Sequence, residues 1–353
     1  MTSLFDPGVL GDIDIANRIV MAPMTRSRAG PGDVPTDLHL EHYRQRASAG
    51  LIISEGTQPS PTGKGYCRTP GIHDPGQVAA WRRVTDAVHA EGGRMVLQIM
   101  HVGRVASHLN KAPGAETVAP SVIRAAGEMF TDQGMVPLDE PRALATEEIP
   151  GVIAEFAQAA LNARAAGFDG VELHCTSGYL PAQFLSSGSN RRTDLYGGVA
   201  TNRIRFVVET IEAMVAAVGP GRVGFRICPG NSFNDIHDDD PAETYGLLLE
   251  TLSPLKLAYL HLIDWPNPQV ESLPLVKRCW RGPLILNESI TAEHAKKLVG
   301  DGVCEAVSFG RPFIGNPDLV SRIRTGAPIA AFDPDTLYTP GPEGYIDYAP
   351  YEP

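Results

Sequence analysis

Gly170-Val-Glu-Leu-His174-Cys-Thr-Ser177-Gly-Tyr179-Leu180 is a short apolar run that breaks into a histidine, a hydroxyl and a tyrosine. An apolar run with chemistry at its end is the pattern of a buried parallel strand carrying a catalytic cluster at its C-terminal edge. Histidine can donate a hydrogen bond to a carbonyl or an oxyanion, and tyrosine can supply a proton. A core histidine and a packing tyrosine are the bland alternative. Matching pieces elsewhere in the chain favour chemistry.

The run is one of eight: Arg18–Met21, Leu51–Ser54, Met95–Met100, Gly170–Leu173, Val223–Ile227, Tyr259–Leu262, Leu284–Leu286 and Ala306–Phe309. Most are followed by helical periodicity, over Pro75–Glu91, Ile149–Ala166, Arg203–Val218, Glu243–Leu252, Ala292–Val299 and Pro317–Thr325. The alternation predicts an α/β fold, a single (β/α)8 barrel over residues 1–353 with no internal domain boundary. A doubly wound sheet gives similar pieces, but the count and the length favour the barrel. Val102–Glu147, after the third strand, is rich in Gly, Pro and Ala and predicts a lid-like insertion on the active-site face. The tail after Phe332 is irregular, and Tyr338, Tyr345, Tyr348 and Tyr351 predict that it packs back on the body.

Composition narrows the function. A net charge of −11 and the lack of a Lys/Arg-rich run argue against nucleic acid and anionic membranes as partners. No apolar run is long enough to cross a bilayer, and the N-terminus shows no signal peptide. Cys67, Cys175, Cys228, Cys279 and Cys304 are dispersed without metal spacing, which reads as reduced thiols in a cytoplasmic protein and no metal site. Asp238-Asp239-Asp240-Pro241 reads as a solvated turn or helix start. The expected partner is a small-molecule substrate, and a homo-oligomer is compatible with this composition.

Polar residues recur at the strand ends. The first run continues Ala22-Pro23-Met24-Thr25-Arg26, the third holds Gln98 and leads to His101 and Arg104, the fifth ends Phe225-Arg226-Ile227, and the eighth leads into Gly310-Arg311. Arginine is costly to bury alone, so Arg226 and Arg311 imply an anionic ligand or paired carboxylates. Gly310-Arg311 before a helical segment suits a phosphate. His101 fits a structural turn as well as chemistry. No GxGxxG after a strand, no Walker motif and no GxSxG occurs.

Taken together these blocks resemble the Old Yellow Enzyme family of FMN-dependent ene-reductases. The resemblance covers nearly the whole chain, from Ala22-Pro23-Met24-Thr25-Arg26 through His174–Gly198 to Phe309–Asp318 and Gly344–Tyr348. It implies reduction of the C=C bond of an α,β-unsaturated carbonyl compound, or the reverse desaturation, with FMN as cofactor and NAD(P)H as reductant. Pro23, Met24 and Thr25 would line the isoalloxazine, Gly56 and Gln98 its pyrimidine side, Arg226 its N1/O2 edge, and Tyr338 a further flank. Gly310, Arg311 and the Glu288-Ser289 pair would meet the phosphate. His174 and Ser177 would hydrogen-bond the substrate carbonyl, and Tyr179 would protonate the α-carbon.

Three positions depart from the family. Ser177 replaces a His or Asn, and Met100 replaces a residue that is often aromatic. Glu288-Ser289 replaces a Gly-Gly or Gly-Asn pair. A carboxylate about 4 Å from a phosphate charge costs roughly 4 kcal/mol at an effective dielectric of about 20, on the order of a thousandfold in affinity. Ser177 and Glu288 therefore keep a second reading open, a flavin-less or redox-neutral relative using His174 and Tyr179 for acid–base isomerisation or cyclisation.

Overall fold

The computed structural model describes residues 2–352. Eight parallel strands close into a barrel: β1 (Ile19–Met21), β2 (Leu51–Ile53), β3 (Met95–Ile99), β4 (Gly170–His174), β5 (Val223–Ile227), β6 (Tyr259–Ile263), β7 (Leu284–Asn287) and β8 (Ala306–Phe309). Each strand pairs with the next in sequence, and β8 pairs back with β1. They are the eight runs read from the sequence, with ends shifted by no more than one residue. Outside them lie helices α1 (Asp37–Gln45), α2 (Pro75–Ala90), α3 (Ile149–Ala165), α4 (Arg205–Val218), α5 (Pro241–Leu252), α6 (Ser272–Cys279), α7 (Ala292–Gly300) and α8 (Leu319–Thr325). None of them is long and apolar enough to cross a membrane.

Two of these helices have no counterpart in the periodicity. The inner face of α1 is His39, His42 and Tyr43, so its buried stripe is polar-tipped. Helix α6 is short, with Pro274 in its first turn. The predicted Arg203–Val218 helix breaks at Ile204 into Ala200–Arg203 and α4. A hairpin, Gly8–Leu10 with Ile13–Ile15, was also not expected. It closes the bottom of the barrel, where Leu10, Ile13 and Ile15 pack on Val20, Leu51, Val96 and Tyr259.

Strand alternation sorts the core into two compartments. Leu97, Ile99, Val171, Leu173, Phe225, Leu260 and Leu262 point outward and pack under the helices. The inward set starts apolar at the bottom, with Val20, Leu51, Ile53, Val96, Ile285 and Ala306. One step higher it turns polar, because Gln98, Glu172, Arg226, His261, Asn287 and Ser308 share that parity. Register confirms the layer: Glu172 pairs with Gln98, and Arg226 pairs with both His174 and His261. The C-terminal ends of all eight strands thus surround one polar mouth.

Two irregular segments wall this mouth. In the Val102–Glu147 insertion, Glu128–Thr131 and Gly134–Pro137 form a hairpin, and Val118–Ala119 pairs with Arg142–Ala143. The insertion therefore carries structure of its own. The tail packs back as expected, through Tyr345, which is fully buried and stacks on His42 at 4.0 Å. Its carbonyls lack a ladder and are met by buried guanidinium groups instead. Arg28 donates to the carbonyls of Thr336 (2.7 Å), Leu337 (2.7 Å), Gly341 (3.3 Å) and Glu343 (2.9 Å). Arg26 donates to Leu337 (3.1 Å) and Gly344 (2.7 Å).

Removing the Arg28 guanidinium takes the donor from the buried Thr336 carbonyl and the part-buried Gly341 and Glu343 carbonyls at once, while Leu337 keeps Arg26. Arg28→Ala is expected to destabilise the fold by about 3 kcal/mol and to open the tail between Thr336 and Gly344. Thermal unfolding and limited proteolysis check this. An unchanged Tm with a protease-resistant tail would show that the clamp contributes nothing.

Candidate active site

A cavity of about 700 Å³ opens at the C-terminal end of the barrel. Its wall includes Pro23 and Thr25 after β1, Gly56 after β2, Gln98 on β3, His174, Ser177 and Tyr179 at and after β4, Arg226 on β5, and Tyr338 from the tail. A second cavity of about 540 Å³ adjoins it, lined by Met24, Asn287, Glu288, Ser289, Gly310 and Arg311. Pro23 and Arg226 line both, so the two form one continuous basin. Each volume lies within the roughly 300–1,000 Å³ of small-molecule sites. Every site residue expected from the sequence lies on one or the other wall.

The floor is a buried chain of hydrogen bonds across adjacent strands. Gln98 Nε2 donates to Glu172 Oε1 at 2.8 Å, and Glu172 Oε2 meets His261 Nδ1 at 2.9 Å. His261 Nε2 meets Ser308 Oγ at 2.8 Å. Both Glu172 oxygens are thereby satisfied, which a fully buried carboxylate requires. Gln98 turns its amide nitrogen to the floor, leaving its oxygen with no hydrogen-bond partner among the described residues.

Arg226 is buried in the joint between the cavities and makes no carboxylate salt bridge among the described residues. Its Nη2 donates to Asn287 Oδ1 at 2.7 Å, and its Nε has no partner among the described residues. Burial lowers its pKa, offset in part by the charge of Glu172. Arg311 is exposed and its side chain forms no hydrogen bond or ion pair among the described residues, although it lines the second cavity.

His174 and Tyr179 stand with ring centroids 4.9 Å apart at an interplanar angle of 76°. Burial, then the nearby Arg226 charge, drives the His174 pKa well below the ordinary histidine value. Its imidazole is therefore neutral, and Nδ1 has no partner among the described residues. Burial, then the charge of Tyr66, drives the Tyr179 pKa well above the ordinary phenol value, so it keeps its proton. Ser177 sits between them at a left-handed φ of 57°. Its carbonyl accepts from Asn234 Nδ2 at 2.7 Å.

Glu288 lines the second cavity at φ 102°, with Ser289 following at φ 46°. Ser289 Oγ donates to Glu288 Oε1 at 2.8 Å. Glutamate pays a steric penalty at such a φ that glycine does not.

Other candidates resolve as structural. His101 is fully buried; its Nδ1 accepts from the Gly103 N–H at 3.1 Å, and burial lowers its pKa to about 3. Asp240 caps α5 through the Glu243 N–H at 2.9 Å, and Asp238 pairs with Arg203 at 3.1 Å. The sequence reading missed Tyr66, whose hydroxyl lies 3.0 Å from that of Tyr179, and Asn287, which holds Arg226. Asn287 was findable as a polar residue at a strand end with inward parity. Tyr66 sits in a loop that carries no such signal.

The NADH:flavin oxidoreductase / NADH oxidase family pattern matches residues 3–329. A probable flavin mononucleotide-dependent alkene reductase of Leishmania infantum is 42% identical over 352 residues, spanning 98% of this chain and 96% of that protein. The 12-oxophytodienoate reductase 1 of Oryza sativa subsp. japonica is 40% identical, spanning 98% and 92%. Among solved structures, the old yellow enzyme homologue from Zymomonas mobilis is similar with a TM-score of 0.95 and 40% identity, covering 99% of both chains. Morphinone reductase in complex with tetrahydroNAD is similar with a TM-score of 0.94 and 43% identity, covering 100% of this chain and 98% of its own.

Backbone strain at Glu288 is separable from its charge. Glu288→Gly is expected to raise the Tm by about 2 °C, since relief of a strained φ outweighs the added freedom of the unfolded chain. Glu288→Ala removes the charge and keeps the strain, so its Tm should not rise. Equal gains for both variants would refute the strain.

Proposed function

The chain belongs to the NADH:flavin oxidoreductase / NADH oxidase family, the Old Yellow Enzymes, and on that premise we propose how its own residues carry the reaction. It is an FMN-dependent oxidoreductase that uses NAD(P)H to reduce the activated C=C bond of an α,β-unsaturated carbonyl compound. The single observation that carries the residue assignment is the pairing of a neutral His174 with a protonated Tyr179 on the wall shared with Arg226.

The donor set fits FMN on its own terms. Arg226 is a buried cation without a carboxylate partner, so it suits the electron-rich N1/O2 edge. Gln98 offers a free oxygen to an imide N–H. Arg311 beside Gly310 offers an unpaired guanidinium to the phosphate. Pro23, Met24, Thr25, Gly56 and Tyr338 complete the enclosure. Bound there, FMN supplies the hydride that adds to the substrate β-carbon. Glu288 and Ser289 are the discordant part of the wall, and they weaken the hold on the phosphate without removing any of these donors.

His174 donates a hydrogen bond to the substrate carbonyl, with the Ser177 hydroxyl as the second donor. Both stabilise the negative charge that develops on that oxygen. The shorter Ser177 side chain leaves more room beside the carbonyl. Tyr179 gives its proton to the α-carbon. Aromatic walls from Phe130, Phe233 and Tyr338 favour a flat, apolar substrate. The redox-neutral alternative is not favoured, because the donor set is intact and a 42% identical relative is named an alkene reductase. All five cysteines are free, which supports a reducing, cytoplasmic location.

Tyr179→Phe tests the assignment. Rapid mixing without oxygen separates reduction by NAD(P)H from transfer to 2-cyclohexenone. The second step should slow about a hundredfold, and the first far less. Equal slowing of both steps, or of neither, would remove Tyr179 from the role of acid.

A further inference from the structure

The cavity holds a second phenol that this chemistry leaves unused. Tyr66 follows the turn Pro61–Gly63, is half-buried and lines the same wall as Tyr179. The two rings stand at 87°, with hydroxyl oxygens 3.0 Å apart. That distance is a direct O–H···O hydrogen bond, which either oxygen can donate. The loop is held firmly behind it. Gly65 accepts from Asn110 Nδ2 at 3.0 Å, and the Tyr66 carbonyl accepts from Thr69 Oγ1 at 3.1 Å. A Cβ on Gly65 would meet the Val105 carbonyl oxygen at 2.5 Å, so the loop lies tight on the insertion. Phe233, 63% exposed, marks the solvent side of the same cavity.

We propose that Tyr66 is a positioning and relay residue, holding the Tyr179 hydroxyl in place and returning a proton to its oxygen once Tyr179 has protonated the substrate carbon. The role rests on Tyr179 as the acid. A C–H bond forms between the α-carbon and the Tyr179 proton, and the O–H electron pair stays on the Tyr179 oxygen. The Tyr66 O–H bond then breaks toward that oxygen. The charge comes to rest on the Tyr66 oxygen, which takes a proton from bulk water at the cavity mouth. Nothing is oxidised or reduced in these transfers. Burial raises the pKa of both phenols, so each hydroxyl rests protonated before the transfer.

The test uses the FMN-loaded enzyme and two acceptors. 2-Cyclohexenone needs a proton on carbon, whereas a benzoquinone takes its protons on oxygen, directly from water. In Tyr66→Phe the ratio of enone to quinone turnover should fall about tenfold, and the solvent isotope effect on enone turnover should rise. In a Tyr179→Phe background, Tyr66→Phe should add nothing to the ratio. Equal loss with both acceptors would mean that Tyr66 only packs, and overturns the relay. So does an unchanged ratio and isotope effect in Tyr66→Phe while Tyr179→Phe lowers enone turnover. If Tyr179→Phe leaves enone turnover untouched, the assignment of the acid fails first, and the relay with it.

Discussion

A guanidinium buried inside the barrel without a carboxylate to pair with among the described residues is the constraint on which the site depends. Arg226 shares its layer with Glu172, yet Glu172 is already engaged by Gln98 and His261. Arg226 keeps one side-chain amide, from Asn287, and an unpartnered Nε. Desolvating a charge to this extent costs several kcal/mol unless something anionic shares the space. Strand parity enforces the arrangement. A one-residue slip of β5 would turn Arg226 into the apolar layer under the helices and Phe225 into the mouth. The same parity aims Gln98, His174 and Asn287 at the same basin, so a single register decision sets the floor and much of the wall.

The rest of the wall is irregular chain, and side chains rather than ladders fix it. Arg26 and Arg28 bind the tail carbonyls, Tyr345 is locked on His42, and Arg68 donates to the Tyr338 carbonyl at 3.0 Å. Tyr338 itself remains 60% exposed, so its position at the cavity rim comes from its backbone anchor and not from burial. Glu288 shows the opposite economy. Its backbone conformation is one that glycine adopts freely, and its carboxylate shares a cavity with Arg311. Charge and strain act at the same point, and in the proposed arrangement the charge opposes a tightly held phosphate.

The barrel was legible because each strand is a short apolar run bounded by turn chemistry, and the strand-end residues followed from where those runs stop. The inner polar layer was less visible. Glu172 and His261 sit inside runs that read as apolar, and only the inward and outward sorting of a closed barrel exposes them. Helix α1 escaped because its buried stripe is His39, His42 and Tyr43, which apolar periodicity does not register. Tyr66 escaped because a loop residue gains its meaning from a neighbour more than a hundred positions away, |i−j| = 113. The departure at Glu288 was visible in the sequence, whereas its φ of 102° was not.

The most direct measurement is a single turnover without oxygen, on protein carrying one bound FMN per chain. NAD(P)H should bleach the visible flavin band, and one equivalent of 2-cyclohexenone should restore it with formation of one equivalent of cyclohexanone. A protein that takes up no FMN, or that consumes the enone without consuming NAD(P)H, would contradict the assignment of this basin to flavin-dependent alkene reduction.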